Sequence, residues 1–332
     1  MLRYLVHRLL IMVPTLLAIS LITFVIIQLP PGDYLESYIA ELEAQGERIQ
    51  GDKLEYLRAV YGLDKPWWQQ YLIWLGGLFR GDFGYSFEYD LPVNAVVGDR
   101  LLLSFIVSFT TILFTWTMSF PIGVYSATHK YSAGDHALTF VGFLGLATPN
   151  FLLALVLLYF ANVIFGTSIG GLMDPKYLDQ SMSWPKFLSV LEHLWVPVVV
   201  IGTSGTAGMI RRLRANLLDE LQKPYVVTAK AKGLPPFRAL CKYPLRMALN
   251  PFIADIGTLL PSVISGAAVV SIVLSLPTTG PMLLRALQTQ DMYLAGSFLM
   301  LLAMLTVVGI LLSDLALAVL DPRIRFEGGQ AR

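Results

Sequence analysis

Side chains that could carry out catalysis are few in this sequence and are not grouped. The four histidines are scattered, with no pair at metal-ligand spacing, and Cys241 is the only cysteine. A single cysteine excludes an internal disulfide and any site built on several thiolates. No G-x-x-x-x-G-K-[ST] phosphate-binding motif occurs, and Ser204, in the glycine-rich stretch 202–208, has no G-x-S-x-G context. We therefore expect no catalytic set, metal site or nucleotide-binding loop within this chain.

The most informative spacing lies in a basic segment from Lys223 to Pro236. Helix-compatible residues there lead to Gly233, the residue type that tolerates a left-handed helix end. Two prolines follow, and proline is favoured in the first turn of a new helix. The pattern predicts a short helix, a sharp turn and a second helix.

The partner of this segment is open to two interpretations. Ala229 and Ala231 keep part of the first helix slim, so it could lie in a cleft on another protein. A basic helix lying on anionic lipid would explain the positive charge. The lipid interpretation does not explain the small residues or the placed glycine.

The composition shows which elements must position this segment. Of 332 residues, 55% are hydrophobic and only 14% charged, against roughly 25% charged in soluble proteins. The mean hydropathy is +0.62, and the net charge of +1 gives no reason to expect nucleic-acid binding. We expect an integral membrane protein.

Long uncharged runs predict six membrane-spanning helices, because a bilayer core of about 30 Å needs roughly 20 apolar residues. Five runs are clear, and the third is apolar only as far as Phe165. The weakest is rich in small residues and is expected to start near Phe187. In chain order the runs are Leu9–Leu29, Leu101–Thr128, Ala137–Met173, Leu194–Ile210, Ile256–Leu284 and Met292–Ser313.

Loop charges predict the orientation, since cytoplasmic loops are rich in Lys and Arg. Residues 30–98 hold eleven acidic and five basic side chains, whereas residues 211–250 hold nine basic and two acidic ones. With six spans, the basic loop and both termini fall in the cytoplasm. The expected division is a first helix at 1–29, an extracytoplasmic region at 30–98, a core at 99–320 with its loop at about 219–245, and a tail at 321–332.

The extracytoplasmic region is predicted to hold a helix over residues 35–61 and then an aromatic stripe. The stripe consists of Trp67, Trp68, Tyr71, Trp74 and Phe79. We favour an interfacial helix, because Trp and Tyr concentrate at the headgroup zone. A stacking platform for a substrate or a partner is the alternative.

Several short motifs occur in order along nearly the whole chain. In the basic loop the matching residues are Tyr225, Thr228, Ala229, Ala231, Lys232, Gly233 and Leu234. Elsewhere the matching stretches are residues 1–5, 31–33, 63–66, 70–71, 81–86 and 320–325. Together they resemble the first-type permease subunit of the dipeptide/oligopeptide/nickel class of ABC importers, an oligopeptide permease B-like chain.

The resemblance implies an all-α, polytopic membrane protein with six transmembrane helices. This is the type I ABC importer permease fold, with an extracytoplasmic helical insertion after the first span. The chain would be a non-catalytic subunit without a cofactor, and ATP would be bound by partner subunits. Expected partners are a second permease in a heterodimer, two ATPase subunits docked on the loop, an extracytoplasmic substrate-binding protein and lipid, in a bacterial inner membrane.

The chain departs from the family pattern at two places. Thr228 stands where the wider importer consensus is acidic. In the fifth span the family often reads Glu-x-x-x-Ser-x-Pro-Gly-x-Gly, whereas here Ser271 replaces the acid and Thr278 the first glycine. Ser271, Pro277 and Gly280 are therefore candidate pathway or gating residues.

These departures affect the expected cargo more than the fold. Short peptides are the leading expectation. Ser271 offers only a neutral hydroxyl where a carboxylate could attract a peptide's cationic N-terminus, so an oligosaccharide or other small solute is the alternative. An ion-coupled secondary transporter is a second alternative, although it would need an internal repeat and an ionisable site near mid-membrane.

Overall fold

A computed structural model describes residues 2–29, 64–165, 170–177, 180 and 183–320. Over these residues the chain is mainly helical, with one antiparallel hairpin of two short strands, Tyr85–Ser86 (β1) and Leu91–Pro92 (β2). The helix predicted over 35–61 and the motifs at 31–33 and 321–325 lie outside the described residues.

The α-helices of the described residues are numbered in chain order. They are α1 (Leu2–Gln28), α2 (Trp67–Phe79), α3 (Val93–Thr128), α4 (Ala133–Ala147), α5 (Asn150–Phe165), α6 (Trp184–Leu221), α7 (Pro224–Ala231), α8 (Pro236–Lys242), α9 (Pro244–Ala248), α10 (Asn250–Gly266), α11 (Ala268–Val273), α12 (Thr279–Gln288) and α13 (Met292–Leu320). A 3₁₀ turn at Pro175–Tyr177 precedes α6.

Four helices in the described part of the chain are long and apolar enough to cross a membrane. They are α1, α3, α6 and α13. Helices α4 and α5 pass the same test only as a pair, and they are bent by 95°. The prediction of one continuous third helix is therefore wrong. Thr148 is extended at this break because Pro149 disfavours helical geometry in the residue before it.

The uncharged run predicted as the fifth span is also broken. Helix α10 ends at Gly266, α11 covers six residues, and the chain then turns through Ser275 at a φ of 53° before α12. One continuous helix over 256–284 is thus wrong. The set of candidate spans is compatible with six crossings, and the number six stays a prediction.

The described residues pack as two compact units. The first comprises Met1–Leu103 and Thr278–Val307. Its core joins α1, α2 and the start of α13 through Phe24, Trp74, Met292 and Met300. The indole N–H of Trp74 donates to Ser297 Oγ at 3.2 Å, so this buried polar group is satisfied.

The Gly81–Ser86 motif folds in the first unit as a turn that closes on the beginning of α13. Gly84 has a φ of 84°, and a Cβ there would overlap the ring of Tyr293. Ser86 Oγ donates to the buried Asp291 carboxylate at 2.6 Å, which also accepts from the Leu294 N–H at 3.1 Å. Burial raises the pKa of Asp291 despite these donors. Glycine and serine at these positions therefore follow from the packing of the turn.

The second unit comprises Ser104–Pro277 and Val308–Arg332. The long helix α6 is central to it and packs against α4, α5 and α9. Helices α10 and α13 cross where Gly257 meets Gly309, and a Cβ on either would overlap the other's backbone. Small residues allow such close helix crossings in membrane proteins.

Candidate functional site

Helices α7 and α8 form a tight helical hairpin at the end of α6. Pro224 and Pro236 lie in the first turns of the two helices. Gly233 has a φ of 79°; its N–H donates to Lys230 O at 2.9 Å, and the Leu234 N–H donates to Ala229 O at 3.3 Å. These two bonds are the Schellman pattern of a helix end. The predicted conformation of a short helix, a glycine turn and a second helix is therefore confirmed.

The hairpin has an inner and an outer side. Val226, Ala229 and Ala239 are buried and form the inner side. On the outer side, Val227 and Phe237 are exposed large apolar residues. The predicted site residues Tyr225, Thr228, Ala231, Lys232 and Gly233 are exposed, and Leu234 is half-buried.

Ala229 requires a correction. The sequence interpretation placed it on the slim face that meets a partner, but it is only 5% exposed. The small side chain of Ala229 therefore faces the inner side of the hairpin. Of the two alanines, only Ala231 is exposed as expected.

Tyr225 links the hairpin to the end of α6. Its hydroxyl donates to the Glu220 carboxylate, and its ring lies 6.3 Å from that of Tyr243. Burial, and then the hydrogen bond to Glu220, raise the pKa of the Tyr225 phenol. The phenol therefore stays protonated and remains a donor at physiological pH.

Thr228, the departure from the wider importer consensus, is satisfied within its own helix. Its hydroxyl donates to Pro224 O at 3.0 Å. Such a bond to the preceding turn is common for threonine in helices, so this side chain needs no partner outside the hairpin.

Helix α6 is much longer than a membrane span requires. Its 38 residues span about 57 Å at 1.5 Å per residue, nearly twice the roughly 30 Å hydrocarbon core. Two arginines near its end fix this projecting part to neighbouring helices. The sequence interpretation counted both arginines as loop charge and did not predict either pairing.

Arg214 pairs with Asp135, at the beginning of α4. Arg214 Nε donates to Asp135 Oδ1 at 2.9 Å, and Nη2 donates to Oδ2 at 2.7 Å. The carboxylate is 2% exposed and also accepts from the Tyr131 N–H at 3.0 Å. A bidentate, largely buried pair of this kind is directional and strong.

Arg212 pairs on the other side with Asp255 of α10. Its Nη1 lies 2.6 Å from Asp255 Oδ2, and its guanidinium lies 4.6 Å from the centre of the Phe252 ring. Both charged groups are well exposed. The two arginines thus connect the end of α6 to α4 and to α10.

A hydrophobic core fills the space between these two ion pairs. Leu213 and Leu217 are fully buried against Ala127, Ala248 and Phe252. The ends of α3 and α6, together with α9 and α10, therefore form a packed block around the base of the hairpin.

The candidate pathway residues follow α10 in the chain. Ser271 is buried in α11, and its carbonyl accepts from the Leu276 N–H at 2.8 Å, just beyond the helix end at Val273. Pro277 lies in the connection to α12, and Gly280 is in the first turn of that helix. Their roles in a pathway stay predictions.

Comparison with known proteins gives matches over most of the chain. Residues 119–326 match the family described as binding-protein-dependent transport system inner membrane component, and residues 1–110 match the corresponding N-terminal family.

Individual relatives match over almost their full length. The oligopeptide transport system permease protein AppB of Bacillus subtilis is 33% identical over 324 residues, which is 97% of this chain and 99% of the relative. The dipeptide transport system permease protein DppB of Escherichia coli K12 is 30% identical over 98% of this chain and 100% of the relative. DppB of Lactococcus lactis is 28% identical over 98% and 100%.

Proposed function

The chain belongs to the family of binding-protein-dependent transport system inner membrane components, and from that premise we propose that its importer carries short peptides. It is a permease subunit, a multi-pass membrane component without catalytic activity of its own. The observation that carries the peptide assignment is the 33% identity to an oligopeptide permease over 97% of this chain.

We infer further that the chain forms half of the translocation pathway. The other half would be a second permease subunit, and two ATPase subunits would bind at the cytoplasmic face. An extracytoplasmic binding protein would deliver the substrate. This stoichiometry is the one expected for a heterodimeric importer and is part of the proposal.

The α7–α8 hairpin is the proposed contact with an ATPase subunit. Its outer side offers Tyr225, Val227 and Phe237, and it lies directly on the packed block at the end of α6. Closure of the ATPase pair on ATP would move the hairpin, and the block would pass that movement to the spanning part of α6. The free energy comes from nucleotide binding on the partner, because a conformational change needs a ligand with different affinities for the two states.

The test is transport by the complete importer in proteoliposomes. Labelled tripeptides and pentapeptides, and a neutral oligosaccharide of similar mass, are offered with the cognate binding protein and internal ATP. We expect uptake of peptide that is lost when the binding protein is omitted. Uptake of the oligosaccharide with no response to any peptide would contradict the peptide assignment.

The oligosaccharide alternative rests on one observation. Ser271 is a buried neutral hydroxyl at a place where related permeases often carry a carboxylate. A Ser271→Glu variant tests this position in the same vesicles. We expect peptide uptake to change by less than about threefold, because specificity should lie mainly in the binding protein.

A further inference from the structure

Helix α2, the short aromatic helix after the first span, has two different apolar faces. One face, with Gln70, Tyr71 and Trp74, packs on α1 and α13. Large apolar residues that are about half exposed or more lie on the sides of α2 away from this packing and at its first residue, and these are Trp67, Trp68, Leu72, Ile73 and Phe79. The helix contains no charged residue.

The contacts of the packed face set the depth of α2 relative to α1. Gln28 Nε2 donates to Gln70 Oε1 at 3.1 Å, near the end of α1. Tyr71 reaches Ser20, with the two hydroxyls 2.9 Å apart. Ser20 lies eight residues before Gln28, which is about 12 Å along the helix. Helix α2 therefore lies beside the spanning part of α1 and not beyond its end.

Helix α13 gives the same depth independently. Gln28 Nε2 donates to Met292 Sδ at 3.0 Å, so the end of α1 and the beginning of α13 are level. Trp74 bonds to Ser297, and Met300 belongs to the same core cluster. Ser297 and Met300 are about 8 and 12 Å along α13 from Met292. The contacts with α1 and with α13 thus both place the middle of α2 beside the spans, about 8–12 Å inward from the level where α1 ends and α13 begins.

The ends of α2 differ sharply from its middle. Asp64 and Lys65 precede it, Arg80 and Asp82 follow it, and all four are exposed. Its 13 residues give a length of about 20 Å, too short for a hydrocarbon core of about 30 Å. A helix that has charged ends and is too short to cross the hydrocarbon core can be accommodated within one leaflet of the bilayer.

The neighbouring span α1 also exposes large apolar side chains. On α1, against which α2 packs, Ile22, Val25 and Ile26 are large, apolar and exposed. Such side chains on a span are suited to contact with lipid tails.

We propose that α2 is embedded in a single leaflet of the bilayer, with Trp67, Trp68, Leu72, Ile73 and Phe79 in contact with lipid. The occupant of this face is the boundary between acyl chains and headgroups, the zone that Trp side chains prefer. The helix therefore anchors the segment that follows it, including the Gly81–Ser86 turn, at a fixed depth. This inference requires membrane insertion and is independent of the cargo.

Accessibility of spin labels tests the proposal in the complete importer. In a Cys241→Ser background, single cysteines replace Leu72 or Phe79, and matched controls replace Asp64 or Asp82 at the two ends. The importer is placed in vesicles of phosphatidylethanolamine and phosphatidylglycerol. Power saturation then measures collision with oxygen, which concentrates in lipid, and with a water-soluble nickel chelate.

We expect the ratio of oxygen to nickel accessibility to be at least threefold higher at Leu72 and Phe79 than at Asp64 and Asp82. Equal ratios at all four positions would show a water-facing helix. Low accessibility to both reagents at Leu72 and Phe79 would show that protein covers this face. Either result overturns the proposal.

Native fluorescence gives a second readout if a labelled variant does not assemble. Lipids brominated near the headgroup quench tryptophans that contact them. We expect a Trp67→Phe, Trp68→Phe double variant to lose part of the quenchable emission, and Trp74→Phe, which removes a buried indole, to lose little of it. An unchanged quenchable fraction in the double variant would contradict lipid contact.

Discussion

Gly233 is the residue of the hairpin whose backbone conformation is most restrictive. Its φ is 79°, and a Cβ built there would meet no atom within 4 Å. A side chain would therefore be penalised by the backbone conformation alone, at roughly 1–2 kcal/mol. We predict that Gly233→Val inserts normally but lowers transport and the stimulation of ATP hydrolysis together, measured in proteoliposomes.

A Gly233→Asn variant is the matched control. Asparagine tolerates the left-handed region better than other non-glycine residues, and the surrounding space is open. We expect it to keep most of the transport activity. Full transport and stimulation in Gly233→Val would show that the turn does not act in coupling.

The Asp135–Arg214 pair makes a second residue-scale prediction. Asp135→Asn leaves the guanidinium with a weaker partner in a mostly buried place. Removing one member of a buried pair costs about 3–5 kcal/mol, and we expect roughly 2–3 here because Arg214 is 26% exposed. The thermal midpoint of the purified importer should fall, and transport should fall with it.

The second ion pair on α6 is the control for the first. Arg212 and Asp255 are 46% and 39% exposed, and exposed pairs contribute about 0–1 kcal/mol. Asp255→Asn should therefore lower the midpoint much less than Asp135→Asn. Equal effects of the two substitutions would mean that burial of the Asp135 pair does not determine its strength.

At the scale of elements, the crossing of α10 and α13 depends on two glycines. Even a methyl group at Gly257 would overlap the backbone at Gly309. We predict that Gly257→Ala reduces the amount of folded protein and its thermal midpoint. The control is Gly208→Ala in α6, where the added carbon meets nothing within 4 Å. That change should be neutral or stabilising by up to about 1 kcal/mol.

Local sequence signals predicted the elements that depend only on neighbouring residues. The α7–α8 hairpin follows from Pro224, Gly233 and Pro236, which act within one or two turns. The break between α4 and α5 also had a local signal, because Pro149 interrupts the uncharged run. The prediction of the third span followed the length of the uncharged run, and hydrophobicity alone does not indicate whether a helix is continuous.

Other features depend on contacts between distant residues, and no local pattern contains them. Asp135 and Arg214 are 79 residues apart, and each alone resembles an ordinary charge at a helix end. The inward position of Ala229 depends on what packs beneath the hairpin. The Ser275 turn has no glycine to mark it, although its φ is 53°.

At the scale of the whole molecule, the broken pair α4 and α5 determines the topology of everything after it. If the pair crosses the bilayer, α6 runs toward the cytoplasm and the basic residues of 211–250 lie there. If the pair enters and returns on the same side, α6 runs the other way, and the same basic residues face outward. The bend of 95° alone is compatible with both arrangements.

The loop charges favour the first arrangement, because nine basic side chains in residues 211–250 belong in the cytoplasm. We predict that cysteines at Asp90 and Lys176 react with a membrane-impermeant maleimide added outside whole cells, in a Cys241→Ser background. Cysteines at Tyr131 and Lys230 should react only after the membrane is permeabilised. All four positions are exposed on this chain, and reaction at Lys230 after permeabilisation distinguishes the side of the membrane from cover by an ATPase subunit. Labelling of Lys230 from outside and of Lys176 only from inside would show that α4 and α5 form a re-entrant pair, and the hairpin could then not meet an ATPase.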